Sequence, residues 1–340
     1  MKKRITIRVG TRGSRLALAQ TGEIVRLLVE AHPRLHVKIV RITTKGDRAV
    51  GTPVARIGGQ GLFTKELEKA LRERKIDVAV HSLKDLPTAL SPGLTIGAVP
   101  KRADPRDAAV TRGRVPLARL PAGSKVGTSS LRRRTQLAAL NPGVKTVDLR
   151  GNLDTRLAKV EAGTGGLAAI VVAMAGLERI GLAAAAGAEP IPVDVMIPAP
   201  GQGALALEVR DDERTRREIV PLLEAVHDPA TAAATAAERT LLRRIEGGCL
   251  VPFGAHAEAA EDGLLRLRAV IASPDGTKVY RAEATGAADD PEGLAAAAEF
   301  RLREAGAAGA IDAWRARSSP AGLRSPSQRK GAKAQRRKQK

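Results

Sequence analysis

The stretch KVGTSSLRRRTQLAAL, residues 125–140, decides how this chain is read. A short β-type run ends near Thr128. Ser129 or Ser130 can then cap a helix, because a serine hydroxyl accepts from amides of the first helical turn. Strand, cap and helix follow one another within a few residues, and the same order recurs elsewhere. ITIRVGT (5–11) reads as a strand and leads into SRLALAQTGEIVRLLVEAH, with Ser14 as cap. HVKIVRITT (36–44), DVAVHS (77–82) and LTIGAVP (94–100) read as strands, and LFTKELEKALRERK (62–75) as an amphipathic helix between them. Such alternation predicts α/β domains with mostly parallel sheets.

Two proline-rich passages, VPKRADPRDA (99–108) and IPVDVMIPAPGQG (191–203), flank a central α/β unit. They predict two lobes joined by two linkers, with ALALEVR (204–210) rejoining the first lobe. The remainder, with helices at both ends and strands LLRLRAVIAS (264–273) and KVYRAEATG (278–286), reads as a smaller α+β domain. The expected limits are 1–104 with 203–223, then 105–202, then 224–317. The last segment, 318–340, carries eight Lys/Arg and no acid, the composition of a disordered basic tail.

A length of 340 residues accommodates two or three domains. Phe, Trp and Tyr make up 1% of the chain, so the cores must be Ala, Val, Leu and Ile. One cysteine excludes an internal disulfide. Arginines interrupt any signal-like apolar run at the N-terminus. LAAIVVAMAGL (167–177) is too short to span a bilayer. A soluble cytoplasmic protein is expected. Net charge is +21, and +13 remains after the eight charges of the tail are set aside. Such a field attracts anions. Nucleic acid is a weak candidate partner, touched nonspecifically through the tail at most, because aromatics for base stacking are scarce.

Strand-to-helix junctions deliver the chemistry. In open α/β sheets the loops beyond strand ends face the ligand crevice. The loop after DVAVHS holds Lys84 and Asp85, where a carboxylate either makes a turn or stabilises a developing cation. The opening stretch holds Arg132, Arg133 and Arg134, of which two should face one cleft. LRGNLDTRLAKV (149–160) supplies Arg150 and Arg156, LERIG supplies Arg179, and VGTRGSRLAL supplies Arg12 and Ser14. Arginine forks suit carboxylates. Four junctions each delivering arginine describe a crevice for a ligand with many negative groups. GGQGLF (58–63) and PGQGAL (200–205) fit no phosphate-loop or dinucleotide pattern and read as turns. The five histidines do not cluster, so no metal site is expected. Cys249 sits in EGGCLVPFG (246–254). Its glycine neighbours give access, as a working thiol needs, yet a lone cysteine equally serves as a small core residue.

GTRGSRLALAQ, TKGD, GGQGLFTKELE, DVAVHSLKDLPT, DPRDA, VGTSSLRRRTQL, LRGNLDTRL, AGLERIG, PGQGALALEVR and AERTLLRRIEGGCLVPFGAHA, in this order, resemble the porphobilinogen deaminase (hydroxymethylbilane synthase) family over about residues 4 to 315. The resemblance implies two lobes like those of periplasmic binding proteins plus a third domain. It also implies a dipyrromethane cofactor on Cys249 through a thioether, and head-to-tail addition of four porphobilinogen units with loss of ammonia. Hydrolysis then releases hydroxymethylbilane, a tetrapyrrole (haem) precursor. Asp85 matches the catalytic aspartate. Lys84, Ser14, Arg132, Arg133, Arg150 and Asp47 match cofactor contacts, and Arg12, Arg156 and Arg179 match substrate contacts. The family is usually monomeric. Gln60 stands where lysine is common, and Arg15 where proline is frequent, the latter with little expected consequence. The competing reading is a non-catalytic two-lobed anion-binding module.

Overall fold

A computed structural model describes residues 5–44, 64–245 and 251–318. Asp47, Gln60, Cys249 and the tail from residue 319 lie outside the described residues. Thirteen strands and ten α-helices among the described residues build three sheets.

The first sheet has the order β2-β1-β3-β10-β4. Its strands are β1 (Ile5–Thr11), β2 (Leu35–Arg41), β3 (Val78–Ser82), β4 (Leu94–Ala98) and β10 (Leu205–Arg210). Helix α1 (Arg15–Ala31) starts where the Ser14 hydroxyl accepts from the Ala17 amide at 3.3 Å, as expected. Its buried residues Ala17, Gln20, Thr21, Ile24 and Leu28 follow helical spacing and meet one sheet face. There Ile7, Val9, Val78, Val80, Leu207 and Val209 pack with Ile24 and Leu28. Each such burial is worth about 1.5–3 kcal/mol. On the other face α2 (Lys65–Arg72) buries Leu67 and Leu71 against Ala79 and Leu94.

The second sheet has the order β7-β6-β8-β5-β9. It comprises β5 (Asp107–Thr111), β6 (Lys125–Gly127), β7 (Lys145–Val147), β8 (Leu167–Ala173) and β9 (Glu189–Pro190). Helix α3 (Leu131–Leu140) covers one face through Leu137. Helices α4 (Leu153–Glu161) and α5 (Met174–Arg179) cover the other through Val160 and Leu177. Ser130 caps α3.

The expectation of mostly parallel sheets is corrected. β1 runs parallel to β2 and β3, and β6 parallel to β7 and β8. β10 is antiparallel to both β3 and β4, and β5 antiparallel to both β8 and β9. Each reversed strand is the one that enters its sheet directly from a linker. It arrives at the end where its neighbours finish, so it can only run the other way.

Two short helices, α6 (Glu213–Glu218) and α7 (Val220–Glu224), follow β10 and lead to α8 (Pro229–Arg244). The third sheet, β11-β12-β13, is antiparallel throughout. Its strands are β11 (Phe253–Ala259), β12 (Leu264–Ala272) and β13 (Val279–Ala287). Helices α8, α9 (Pro291–Leu302) and α10 (Ala308–Ser318) close its core. β11 is a strand the sequence reading did not draw. The chain therefore crosses twice between two α/β lobes and ends in a smaller α+β unit. The crossings touch each other at Gly203. Its φ is +89°, and a Cβ there would lie 2.5 Å from the Ala103 carbonyl oxygen, so glycine is required.

Candidate active site

Asp85 lies on a single 3-10 turn, Leu83–Asp85, directly after β3. Leu83 and Leu86 are buried beneath it, and the Leu83 amide donates to the Ala204 carbonyl at 3.0 Å. The turn is thus pinned by its two leucines while Asp85 stays exposed.

Lys84, its neighbour, is partly covered. Its ammonium donates to Gln202 Oε1 at 3.3 Å. Gln202 is fully buried and its amide nitrogen donates to the Pro105 carbonyl at 2.8 Å and to Asp107 Oδ1 at 3.0 Å. Asp107 in turn pairs with Arg132 at 2.6 Å and Arg133 at 2.7 Å. One polar chain therefore runs from the loop after β3 in the first lobe, through both linkers, to the first turn of α3 in the second. Burial alone would raise the Asp107 carboxyl, but Arg132 and Arg133 hold it far below the usual carboxylate range. Desolvation works on Lys84 as well. It lowers the ammonium to about 8, with Arg133 and Arg132 adding to the effect and Asp85 and Asp107 opposing it.

Of the three arginines that open α3, Arg132 and Arg133 are both buried with a protein counter-charge. Arg132 also donates to the Ile197 carbonyl and Arg133 to the Val171 carbonyl. Arg134 turns away, to the Thr128 carbonyl and Asp148. Arg150 and Arg156 flank the start of α4, both partly covered. Arg156 donates to the Gly151 carbonyl at 2.9 Å, and desolvation, with Arg133 adding to it, lowers its pKa. Arg12 and Ser14 lie partly covered between β1 and α1. Arg179 reaches across the lobes, to Glu23 at 2.8 Å and to the Gly203 carbonyl at 3.1 Å. Arg15 does likewise, to Asp154 at 2.6 Å and the Ile180 carbonyl at 2.9 Å. It adds an exposed ion pair between the lobes.

Sequence reading passed over Gln202 and Asp107, both placed in turns or linkers. The available signals were a glutamine between glycines in PGQG and an acid among arginines in DPRDA. It also passed over Glu238 on α8, fully buried. Glu238 pairs with Arg102 of the first linker at 2.6 Å and accepts from the Gly201 amide of the second at 2.6 Å.

The donor set fits a polycarboxylate such as a dipyrromethane. Lys84 and Arg156 are desolvated cations that form no ion pair among the described residues, so ligand carboxylates can supply the missing counter-charge. Among the described residues no group of three His, Cys, Asp or Glu could hold a metal ion, and no helix is long and apolar enough to cross a membrane.

Comparisons with known proteins agree with this arrangement. The family profile described as porphobilinogen deaminase, dipyromethane cofactor binding domain, matches residues 7–218, and that of the porphobilinogen deaminase C-terminal domain matches 232–303. The porphobilinogen deaminase of Desulforudis audaxviator (strain MP104C) is 50% identical over 88% of this chain and 94% of its own length. That of Roseiflexus sp. (strain RS-1) is 49% identical over 88% and 97%. Among solved structures, the BenM effector binding domain with its effector benzoate matches with a TM-score of 0.40 and 19% identity, over 65% of this chain and 90% of that one. That likeness is too distant to add to the topology seen in the sheets. With the cofactor-domain profile spanning the lobes that hold Asp85 and its cationic neighbours, and relatives matching along nearly the whole length, the chain belongs to the porphobilinogen deaminase family.

Proposed function

We propose that Asp85 stabilises the cationic stage of the reaction this transferase performs, while Lys84, Arg156 and Arg150 hold the carboxylates of its substrate and cofactor. As a hydroxymethylbilane synthase, the enzyme joins four porphobilinogen units head to tail and hydrolyses the product free. In each addition the aminomethyl C–N bond breaks and ammonia leaves. A C–C bond forms to the accepting pyrrole, and that pyrrole loses its α-proton. When bound, the dipyrromethane supplies the first accepting pyrrole. Cys249 is proposed as its anchor. The described residues on either side, Ile245 and Val251, are buried in the third domain's core.

The observation that carries this reading is the pairing on one turn of an exposed carboxylate with a desolvated ammonium lacking an ion pair. A carboxylate near the reacting methylene offsets positive charge as ammonia departs, and such preorganised stabilisation is commonly the largest single catalytic contribution. It also stands ready to take the pyrrole proton. Arg132 and Arg133, sharing the single counter-charge of Asp107, keep a net positive charge and present their remaining donors from a fixed position. Ser14, Arg12 and, outside the described residues, Asp47 are proposed as further contacts, and Arg179 as a substrate contact once its tie to Glu23 opens. The domain limits proposed are those of the sequence reading, since β1–β4 with β10, β5–β9, and β11–β13 form separate sheets. A cytoplasmic monomer completes the proposal.

Lys84 provides the test. As pH rises through about 8 the ammonium loses its proton and with it its attraction for carboxylate. The KM for porphobilinogen should rise about tenfold one unit above that value, because only the protonated fraction binds. Lys84→Arg should abolish this basic limb. A KM flat from pH 7 to 9, or a limb unchanged in Lys84→Arg, would count against the assignment.

A further inference from the structure

Arg239 of α8 sends its guanidinium out of the third domain and into the catalytic turn of the first. It donates to the Leu83 carbonyl at 3.3 Å, the Leu86 carbonyl at 2.9 Å and the Pro87 carbonyl at 2.7 Å. These carbonyls bracket Asp85 on both sides. Arg239 forms no ion pair with any described residue, and desolvation lowers its pKa to about 10, with Arg243 adding to the effect. A partly buried charge held only by backbone carbonyls is costly unless those carbonyls need it. The turn's internal bond, from the Leu86 amide, reaches only the Leu83 carbonyl, and Arg239 supplies a donor to the Leu86 and Pro87 carbonyls that follow it.

The same helix is fixed from the other side. Glu238, the preceding residue, holds both linkers through Arg102 and the Gly201 amide, and a further contact, from the Ala257 amide at 2.8 Å, ties in β11. Ala232, about two turns before Arg239 on α8, packs against the cluster of Leu83, Leu86 and Ala204. Helix α8 ends at Arg244, five residues before Cys249.

We propose that Arg239 is a positioning residue: it moulds the loop 83–87 around its guanidinium and sets Asp85 at a fixed place relative to the helix that leads to Cys249. The loop that carries Asp85 is thereby tied to the third domain through α8. This rests on the Asp85 reading. Lysine at 239 keeps the charge but lacks the planar fork needed to span three carbonyls.

The test compares Arg239→Lys and Arg239→Met with wild type, alone and in an Asp85→Glu background. Both single variants should carry the cofactor, shown by intact mass, and should lose about 10²-fold in kcat with KM little changed, as expected for sub-ångström to ångström misplacement of a catalytic group. Amide hydrogen exchange in the segment 82–90 should accelerate, while exchange in β6 and β8 stays as in wild type. In the Asp85→Glu background, where the carboxylate is already displaced, Arg239→Lys should cost much less than it does alone. Near-normal kcat in both variants while Asp85→Asn remains crippled would overturn the positioning role and leave Asp85 standing. So would equal losses in both backgrounds, or unchanged exchange in 82–90. Near-normal turnover of Asp85→Asn itself would instead remove the reading on which the proposal stands.

Discussion

Asp85→Asn should fold as wild type and turn over about 10²–10³-fold more slowly, the usual cost of removing one preorganised charge or donor from a developing charge. The fold is expected to persist because Asp85 is exposed and the turn is held by others: Leu83 and Leu86 beneath it, the Ala204 carbonyl, and Arg239. The side chain contributes no burial that the amide would lose. The amide keeps the size and loses the charge, so the deficit should fall on kcat and leave KM nearly unchanged. Steady-state kinetics with matched circular dichroism check this. Turnover within a few-fold of wild type would remove Asp85 from the mechanism.

The second large effect concerns Asp107. Asp107→Asn leaves Arg132 and Arg133 buried side by side with no counter-charge. Removing one partner of a buried ion network typically costs roughly 3–5 kcal/mol, because the remaining charge stays desolvated. Urea unfolding at pH 7 should show a loss of that order. The pH dependence follows from the depressed carboxyl of Asp107. Its stabilising contribution is fully present above the unfolded-state pKa of about 3.9 and is lost only as pH falls through the lower folded-state value. The wild-type advantage over Asp107→Asn should therefore hold from neutrality down to about pH 4 and shrink in stronger acid. An equally stable variant at pH 7 would mean that the arginines find another partner.

The outline of this fold was legible because each lobe repeats the same local grammar. Ser14 and Ser130 cap where a serine before an apolar periodic run should cap. Strand direction was not legible: β5 and β10 carry the same buried apolar pattern whichever way they run, and only their entry from a linker fixes the sense. β11 was hidden because FGAHAEA follows glycine- and proline-rich residues that read as loop. At the site, residue types were readable and partners were not. Arg132 and Arg133 stood out, yet their counter-ion lies 25 residues away in what looked like linker. Gln202 looked like part of a turn, and only the approach of Lys84 and Asp107 from either lobe makes it a bridge. The contact of Arg15 with Asp154 was not readable because it spans 139 residues.

The central claim is that a pyrrole pair carried on Cys249 serves as the primer in a cleft worked by Asp85. Intact mass of the purified protein under denaturing conditions tests it most directly. The expected result is an excess over the polypeptide equal to two porphobilinogen molecules less two ammonia molecules, present in wild type and absent from Cys249→Ala. The bare polypeptide mass in wild type, persisting after incubation with porphobilinogen, would contradict it. So would the same excess on Cys249→Ala.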